Sequence, residues 1–138
     1  MGIYNQILES KKKGRKLFSI LIDPDKQNEE NLLKIIEKSK SANVDLFFIG
    51  GSLLINNSLD SCISIIRQNC EIPIILFPGN TMQVNKKADG ILFLSLISGR
   101  NAELLIGNHV ITAPFLKESE IEVLSTGYML IDSGKATS

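Results

Sequence analysis

The chain alternates short, almost continuous apolar runs with longer segments in which apolar residues recur at helical spacing. The short runs are typical of strands that are buried on both faces, and the longer segments are typical of amphipathic helices that cover them. This alternation predicts an α/β protein with a parallel sheet. The predicted strands are Leu17–Asp23, Asp45–Ile49, Pro73–Phe77, Ile91–Leu96 and Gly127–Ile131.

Helices are expected between these strands. Asn28 or Asn31 is suited to cap a first helix after the first strand, and Leu59–Asn69 forms the helix after the second strand. Only the polar stretch Thr81–Lys87 separates the third and fourth strands, which implies a short or irregular helix there. A further helix begins at Ala102–Ile106.

Two architectures fit a parallel sheet with helical connections, an open doubly wound sheet and a closed barrel. A dinucleotide-binding sheet would carry G-x-G-x-x-G after its first strand, whereas this chain has Asp23-Pro24-Asp25-Lys26. We therefore expect a TIM (β/α)8 barrel, represented by about its first five strands, with residues 1–138 as the N-terminal portion of one domain. Polar residues cluster at the carboxyl ends of the predicted strands, where a barrel binds ligands: Asp23, Gly51-Ser52, Pro78-Gly79-Asn80, Ser98-Gly99-Arg100 and Asp132.

Composition excludes several classes of protein. Hydrophobic residues make up 43% and charged residues 22% of the 138 residues, which is ordinary for a globular domain and too apolar for a disordered chain. The 15 basic and 15 acidic residues balance, so no net positive field attracts nucleic acid. The basic cluster Lys11–Lys16 contains no aromatic residue that would stack on bases, and we interpret it as a solvated turn.

The two cysteines and the start of the chain indicate the compartment. Cys62 and Cys70 are too few for a disulfide scaffold or a four-ligand metal site, and we expect both to be reduced and inert. The segment Met1–Lys16 lacks the apolar core of a signal peptide. No apolar run approaches the roughly 20 residues that span a bilayer. A cytoplasmic protein is expected.

The tetrapeptide Asp23-Pro24-Asp25-Lys26 is the strongest local indication of chemistry. Pro24 stiffens the loop that holds the two carboxylates, and Mg²⁺ prefers one or two carboxylates together with phosphate oxygens and water. The alternative is a plain Asp-Pro turn at the start of a helix. Gly50-Gly51-Ser52 allows close approach of a ligand to the backbone, although a tight turn would need the same glycines. His109 is predicted to lie away from the strand ends and to be structural.

Five motifs in order along the chain resemble the geranylgeranylglyceryl phosphate synthase family, most closely its members from flavobacteria-like bacteria. The resemblance covers nearly the whole chain. No single motif is specific, but all five occur at the spacing of the family. They are LIDPDK (21–26), FFIGGS (47–52), LFPGN (76–80), LFLSLISGRN (92–101) and TGYMLIDSGK (126–135).

The resemblance implies a function and a set of site residues. Enzymes of this family join a prenyl diphosphate to the 3-hydroxyl of sn-glycerol 1-phosphate, and Mg²⁺ holds the diphosphate. By this resemblance Asp23 and Ser52 would be the metal ligands. Phe77 and Gly79 would border the prenyl groove, and Tyr128 and Asp132 would line the cavity from the fifth strand. Asp25 and Lys26 would complete the substrate-binding set.

The chain departs from the family in two respects. Leu21 stands where some relatives carry a lysine that contacts phosphate. The family also continues through strands six to eight, which bring the glycerol-phosphate loops and a catalytic glutamate and tyrosine, so no catalytic residue is assigned here. We expect the 138-residue chain alone to be inactive, and the open edges of its sheet to favour a homo-oligomer.

Two other functions remain open at this point. One is a different TIM-barrel enzyme that acts on a phosphorylated metabolite, with Asp23 as an acid–base group. The other is a half-barrel that binds a ligand or partner without catalysis.

Overall fold

The computed structural model describes residues 2–51, 58–79, 83–131 and 134. Strands and helices alternate along most of this length, as the hydrophobic pattern predicts. The elements are α1 (Ile3–Lys12), β1 (Ser19–Ile22), a 3₁₀ turn (Pro24–Lys26), α2 (Glu29–Ser41), β2 (Leu46–Ile49), α3 (Ser58–Asn69), β3 (Ile74–Leu76), β4 (Gly90–Leu96), a π-helical segment (Glu103–Gly107), α4 (Asn108–Ser119) and β5 (Glu122–Tyr128).

The strands form one parallel sheet in the order β1-β2-β3-β4-β5. The spatial order equals the chain order, whereas a doubly wound sheet reverses its strand order at a switch point. In this register Ile22, Ile49, Leu76 and Ile91 lie side by side on one face. The arrangement confirms the expected partial TIM barrel.

Two apolar clusters lie on opposite faces of the sheet. The larger one packs the sheet against α2 and α3 and includes Ile36, Phe47, Ile63 and Ile74, each at most 1% exposed. The smaller one lies on the other face and joins Ile3, Leu46, Ile75 and Leu124. One face of the sheet is thus covered by helices, and the other corresponds to the interior of a barrel.

Helix α1 covers the amino ends of β4 and β5. The carboxylate of Glu122, the first residue of β5, accepts hydrogen bonds from the backbone N–H groups of Ile3 and Tyr4 at the start of α1. Ile3 also lies so close to Gly90, the first residue of β4, that a Cβ there would be 3.0 Å from its side chain. Since α1 occupies this end of the sheet, a ligand approaches from the carboxyl ends.

Local signals account for the start of α2. The side chain of Asn28 accepts a hydrogen bond from Asn31 N at 2.8 Å, which confirms the first of the two candidate caps. Glu29 and Glu30 occupy the first turn, where negative charge is favourable.

The structure differs from the expectations at two elements. Helix α1 was not predicted, and Lys11 and Lys12 of the basic cluster form its last turn rather than a loop. The fifth strand is Glu122–Tyr128 rather than Gly127–Ile131. Residues 122–128 pair with β4, whereas the apolar run that suggested the later strand is exposed. A short or irregular helix was expected in the stretch between β3 and β4, and its described part, residues 83–87, is irregular.

None of the helices in the described ranges is long and apolar enough to cross a membrane.

Candidate functional site

A cavity of about 460 Å³ opens at the carboxyl ends of the strands. Its lining is mainly apolar and comes from β1, β4 and β5, from the loops that follow β2 and β3, and from α4 with the segment before it. The lining residues are Leu21, Gly50, Gly51, Phe77, Pro78, Gly79, Val84, Ile91, Leu92, Phe93, Leu94, Leu96, Leu104, Asn108, His109, Thr112, Tyr128 and Leu130.

The cavity extends along β4, next to the irregular connection between β3 and β4. Phe93 belongs to the helix-covered face of the sheet, yet it lines the cavity together with Val84 and Thr112. A regular barrel would place a covering helix after β3. The described residues 83–89 contain no helix, and the space beside them belongs to the cavity. The result is an apolar groove whose lining includes both the strand ends and residues along β4.

Asp23 lies directly after β1, beside this groove. Its carboxylate accepts a hydrogen bond from Asp25 N at 3.2 Å and lies 3.1 Å from the ammonium nitrogen of Lys26. The side chain is 26% exposed, so it remains accessible to a ligand. A Cβ at Gly51 would lie 2.9 Å from its Oδ1, and glycine therefore permits this close approach of the β2 loop.

The remaining residues of the tetrapeptide point to different partners. Lys26 is 78% exposed at its side chain and pairs with Asp23. Asp25 accepts a hydrogen bond from the hydroxyl of Ser58 at the start of α3. The structure thus brings Asp23 and Lys26 together, whereas Asp25 joins the loop to a helix.

The cavity lining includes Phe77, Gly79 and Tyr128, in agreement with their expected positions at its border. The rings of Phe77 and Tyr128 meet edge to face with centroids 5.9 Å apart, a favourable aromatic geometry. Ser52 and Asp132, the other two expected site residues, lie outside the described residues.

Gln83 is a residue of the site that sequence reasoning missed. Its side chain is only 3% exposed. Its Oε1 accepts from Gly79 N at 3.1 Å, and its Nε2 donates to Gly51 O at 2.9 Å. A single glutamine in a polar stretch carries no signal of such a role, and the stretch itself was interpreted as a short or irregular helix.

His109 also contributes to the cavity, which corrects its expected position away from the strand ends. Its Nε2 lies 2.7 Å from Leu94 O, and because a carbonyl only accepts, Nε2 carries the proton. The centroids of the His109 and Phe93 rings lie 4.2 Å apart. These contacts fasten α4 to β4, which agrees with the structural role expected from the sequence.

Asp23 offers one carboxylate of the kind that Mg²⁺ binds together with oxygens of a bound substrate. Among residues 2–51, 58–79, 83–131 and 134 no three His, Cys, Asp or Glu side chains are close enough to hold a metal by themselves. Mg²⁺ commonly takes one or two carboxylates and completes its shell with phosphate oxygens and water. One accessible carboxylate at the mouth of an apolar groove meets that requirement.

Comparisons with known proteins place the chain in a family. The profile of the PcrB family matches residues 5–138. Geranylgeranylglyceryl phosphate synthase of Chitinophaga pinensis is 52% identical over 135 residues, which are 98% of this chain and 54% of that protein. The synthase of Flavobacterium johnsoniae is 46% identical, over 98% of this chain and 56% of that protein. The resemblance inferred from the five motifs is confirmed.

Solved structures agree with this result. The wild-type synthase of Thermoplasma volcanium superposes with a TM-score of 0.89 at 30% identity, over 97% of this chain and 54% of that one. The Thermoplasma acidophilum enzyme, in complex with its substrate sn-glycerol-1-phosphate, gives a TM-score of 0.90 at 30% identity with the same coverage. The chain spans about half the length of these relatives.

Proposed function

This chain belongs to the PcrB family, and we propose that it forms the prenyl-diphosphate side of a prenyltransferase that makes a prenylglyceryl phosphate ether lipid precursor. The second substrate is sn-glycerol 1-phosphate, which the related Thermoplasma acidophilum enzyme binds. The names of the relatives support the reaction class.

The observation that carries the proposal is the continuity between Asp23 and the apolar groove. Gly51 adjoins the carboxylate of Asp23 and also lines the cavity. A molecule with a charged head and a long apolar tail fits this arrangement, with its diphosphate at Asp23 and its prenyl chain past Phe77 and Tyr128. A small polar phosphorylated metabolite would leave most of the apolar lining without a partner.

The charged residues would hold the diphosphate as it leaves. Asp23 and Ser52 would bind Mg²⁺, which supplies positive charge to the leaving diphosphate. The ammonium group of Lys26 lies 3.1 Å from Asp23 and is exposed, so it can donate to a diphosphate oxygen bound beside that carboxylate. Asp25 holds the loop against Ser58 and thereby keeps Asp23 in place.

The aromatic residues would protect the reacting carbon. Phe77 and Tyr128 stand edge to face beside Gly79 at the wall of the cavity. An allylic carbon that loses diphosphate develops positive charge and reacts readily with water. Apolar walls exclude that water until the glycerol hydroxyl attacks. Asp132, which follows β5 in the sequence, is proposed to line the same cavity.

We assign the acceptor side to the part of the relatives that this chain does not match. The orientation of a reacting hydroxyl is worth about 7–11 kcal/mol. Without the groups that provide it, the 138-residue chain is expected to form no measurable product. If the isolated chain made product at the rate of a complete enzyme, the acceptor site would be misplaced in this proposal.

The test uses a hybrid synthase, in which this chain is joined to the part of the Chitinophaga pinensis enzyme that lies outside the match. Product is measured as radiolabelled glycerol 1-phosphate that becomes extractable as lipid. Asp23→Ala should lower kcat/KM by about 100-fold or more at every Mg²⁺ concentration. Asp60→Asn is the control, because Asp60 is a half-buried carboxylate on α3 that does not line the cavity and whose partners are Lys87 and Asn85. Equal activity of the Asp23→Ala variant and the control would contradict the proposal.

We also propose that the chain associates with a second copy of itself. In the part of the chain that the structure describes, β1 and β5 each have a strand neighbour on one side only. Exposed apolar residues lie on or after these strands, including Leu21 at 57% and Ile131 at 83%. Light scattering of the purified chain should give at least twice the monomer mass, and a monodisperse monomer would contradict the association. The cytoplasmic location expected from the sequence stays a prediction.

A further inference from the structure

Gln83 joins the ends of two neighbouring strands through its side chain. Its amide is buried, with 3% of the residue exposed, and both ends of the amide are hydrogen-bonded. Oε1 accepts from the N–H of Gly79, which follows β3, and Nε2 donates to the carbonyl of Gly51, which follows β2. A buried amide with both of its groups satisfied holds its partners firmly, because breaking either bond leaves an unpaired polar group.

The two hydrogen bonds of the Gln83 side chain, the Gln83 bridge, lie just beyond the end of the β2–β3 pairing. Among the described residues, the bond from Phe77 N to Ile49 O at 2.8 Å is the last backbone hydrogen bond between β2 and β3. Beyond it the two segments continue as loops, and the side chain of Gln83 hydrogen-bonds to the backbone of both.

The two loops carry the two halves of the proposed substrate site. Gly51 packs against Asp23 on the diphosphate side, and its carbonyl oxygen is the one that Gln83 holds. Gly79 borders the apolar cavity, two residues after Phe77. A line of contacts therefore runs from Asp23 through Gly51 and Gln83 to Gly79.

We propose that Gln83 is a positioning residue, which fixes the distance between the loop that holds the diphosphate and the wall that receives the prenyl chain. The inference rests on the proposed function, and it assigns Gln83 no contact with the reacting atoms. The diphosphate and the prenyl chain belong to one molecule. The distance between the two loops must therefore match that molecule for both of its ends to bind together.

The variant Gln83→Met tests this role in the hybrid synthase. Methionine keeps the volume and length of the side chain but makes neither hydrogen bond. We expect the KM for prenyl diphosphate and the half-saturating Mg²⁺ concentration each to rise about tenfold, as the loss of a buried hydrogen bond predicts. The KM for sn-glycerol 1-phosphate should change by less than about twofold, since the bridge lies on the other side of the proposed site.

Asn85→Leu is the matched control. Asn85 lies two residues further along the same segment and joins it to α3: its side chain accepts from Lys87 N and donates to Asp60, both at 2.9 Å. It does not line the cavity. Its replacement also removes two side-chain hydrogen bonds of this segment, and it should leave all three kinetic constants unchanged. If Gln83→Met lowered only kcat, in proportion to its loss of folded protein, its role would be merely structural and the inference would be wrong.

A second measurement separates this inference from the proposed function. Should the unmodified hybrid form no product, the proposed function fails, but the bridge can still be measured by hydrogen exchange in the unmodified chain. The Gly79 amide should exchange about tenfold faster in Gln83→Met than in Asn85→Leu, because only the first variant removes its acceptor. Equal exchange of this amide in the two variants would overturn the inference.

Discussion

The β1–β3 region and the β4–β5 region follow the same alternation of strand and helix, yet they pack very differently. In the first region α2 and α3 cover the sheet, and Phe47, Ile63 and Ile74 are completely buried. In the second region α4 and the π-helical segment before it expose Ile106, Val110 and Phe115 by more than 60% each. The cavity lies where the two regions meet. The regular units thus build the scaffold, and the binding space opens where the regular pattern stops.

The largest expected effect concerns the packed region. Phe47→Ala should lower the free energy of unfolding by about 3–5 kcal/mol, because the removed ring leaves a cavity in a fully buried cluster. Phe115→Ala, the matched change in the open region, should alter it by less than about 0.5 kcal/mol, since that ring is 63% exposed. Urea unfolding of both variants measures the two values. Similar losses would mean that α4 is packed in solution against a surface that covers Phe115.

The regular units were predictable because several local signals agree there. β2 is a short apolar run with no other reasonable assignment, and Asn28 is a good cap three residues before the N–H that it binds. The proposed metal residue Asp23 and the wall residue Phe77 were placed correctly at strand ends, because parallel strands bring their carboxyl ends to one edge.

The irregular parts were missed because their determinants lie far apart in the sequence. β5 was displaced because its residues alternate and Glu122 is charged, and its pairing depends on β4 and on the start of α1. The role of Gln83 depends on two glycines, Gly51 and Gly79, of which the first lies 32 residues away. Periodicity within a segment does not report such contacts.

A smaller loss of stability is expected just beyond the ends of β2 and β3, where the two backbones are in close contact. A Cβ at Gly50 would lie 1.9 Å from the backbone oxygen of Phe77, and backbone cannot yield as a side chain does. Gly50→Ala should therefore lower the free energy of unfolding by about 3 kcal/mol and widen the spacing of the two loops. Gly127→Ala is the control in the open region, because its Cβ would meet only the end of the Ile97 side chain, at 3.3 Å. A control as destabilised as Gly50→Ala would show that the open region is packed as rigidly as the other.

The smallest expected effect on the free energy of unfolding at neutral pH concerns the two thiols of the packed region. Burial raises the pKa of Cys62 from 9.0 to about 11, whereas Cys70 is half-buried at the end of the same helix. Alkylation at pH 8 should therefore modify Cys70 first and reach Cys62 only as fast as the packed region opens. Between pH 9 and 11 the unfolded Cys62 thiol ionises before the folded one, so the free energy of unfolding falls as the pH rises through this window. Mass spectrometry of digested peptides gives the order of modification. Cys62→Ala should reduce the fall in the free energy of unfolding between pH 9 and 11, whereas Cys70→Ala should retain it. Rapid modification of Cys62 in the folded chain would show that the β1–β3 region is not more tightly packed than the β4–β5 region.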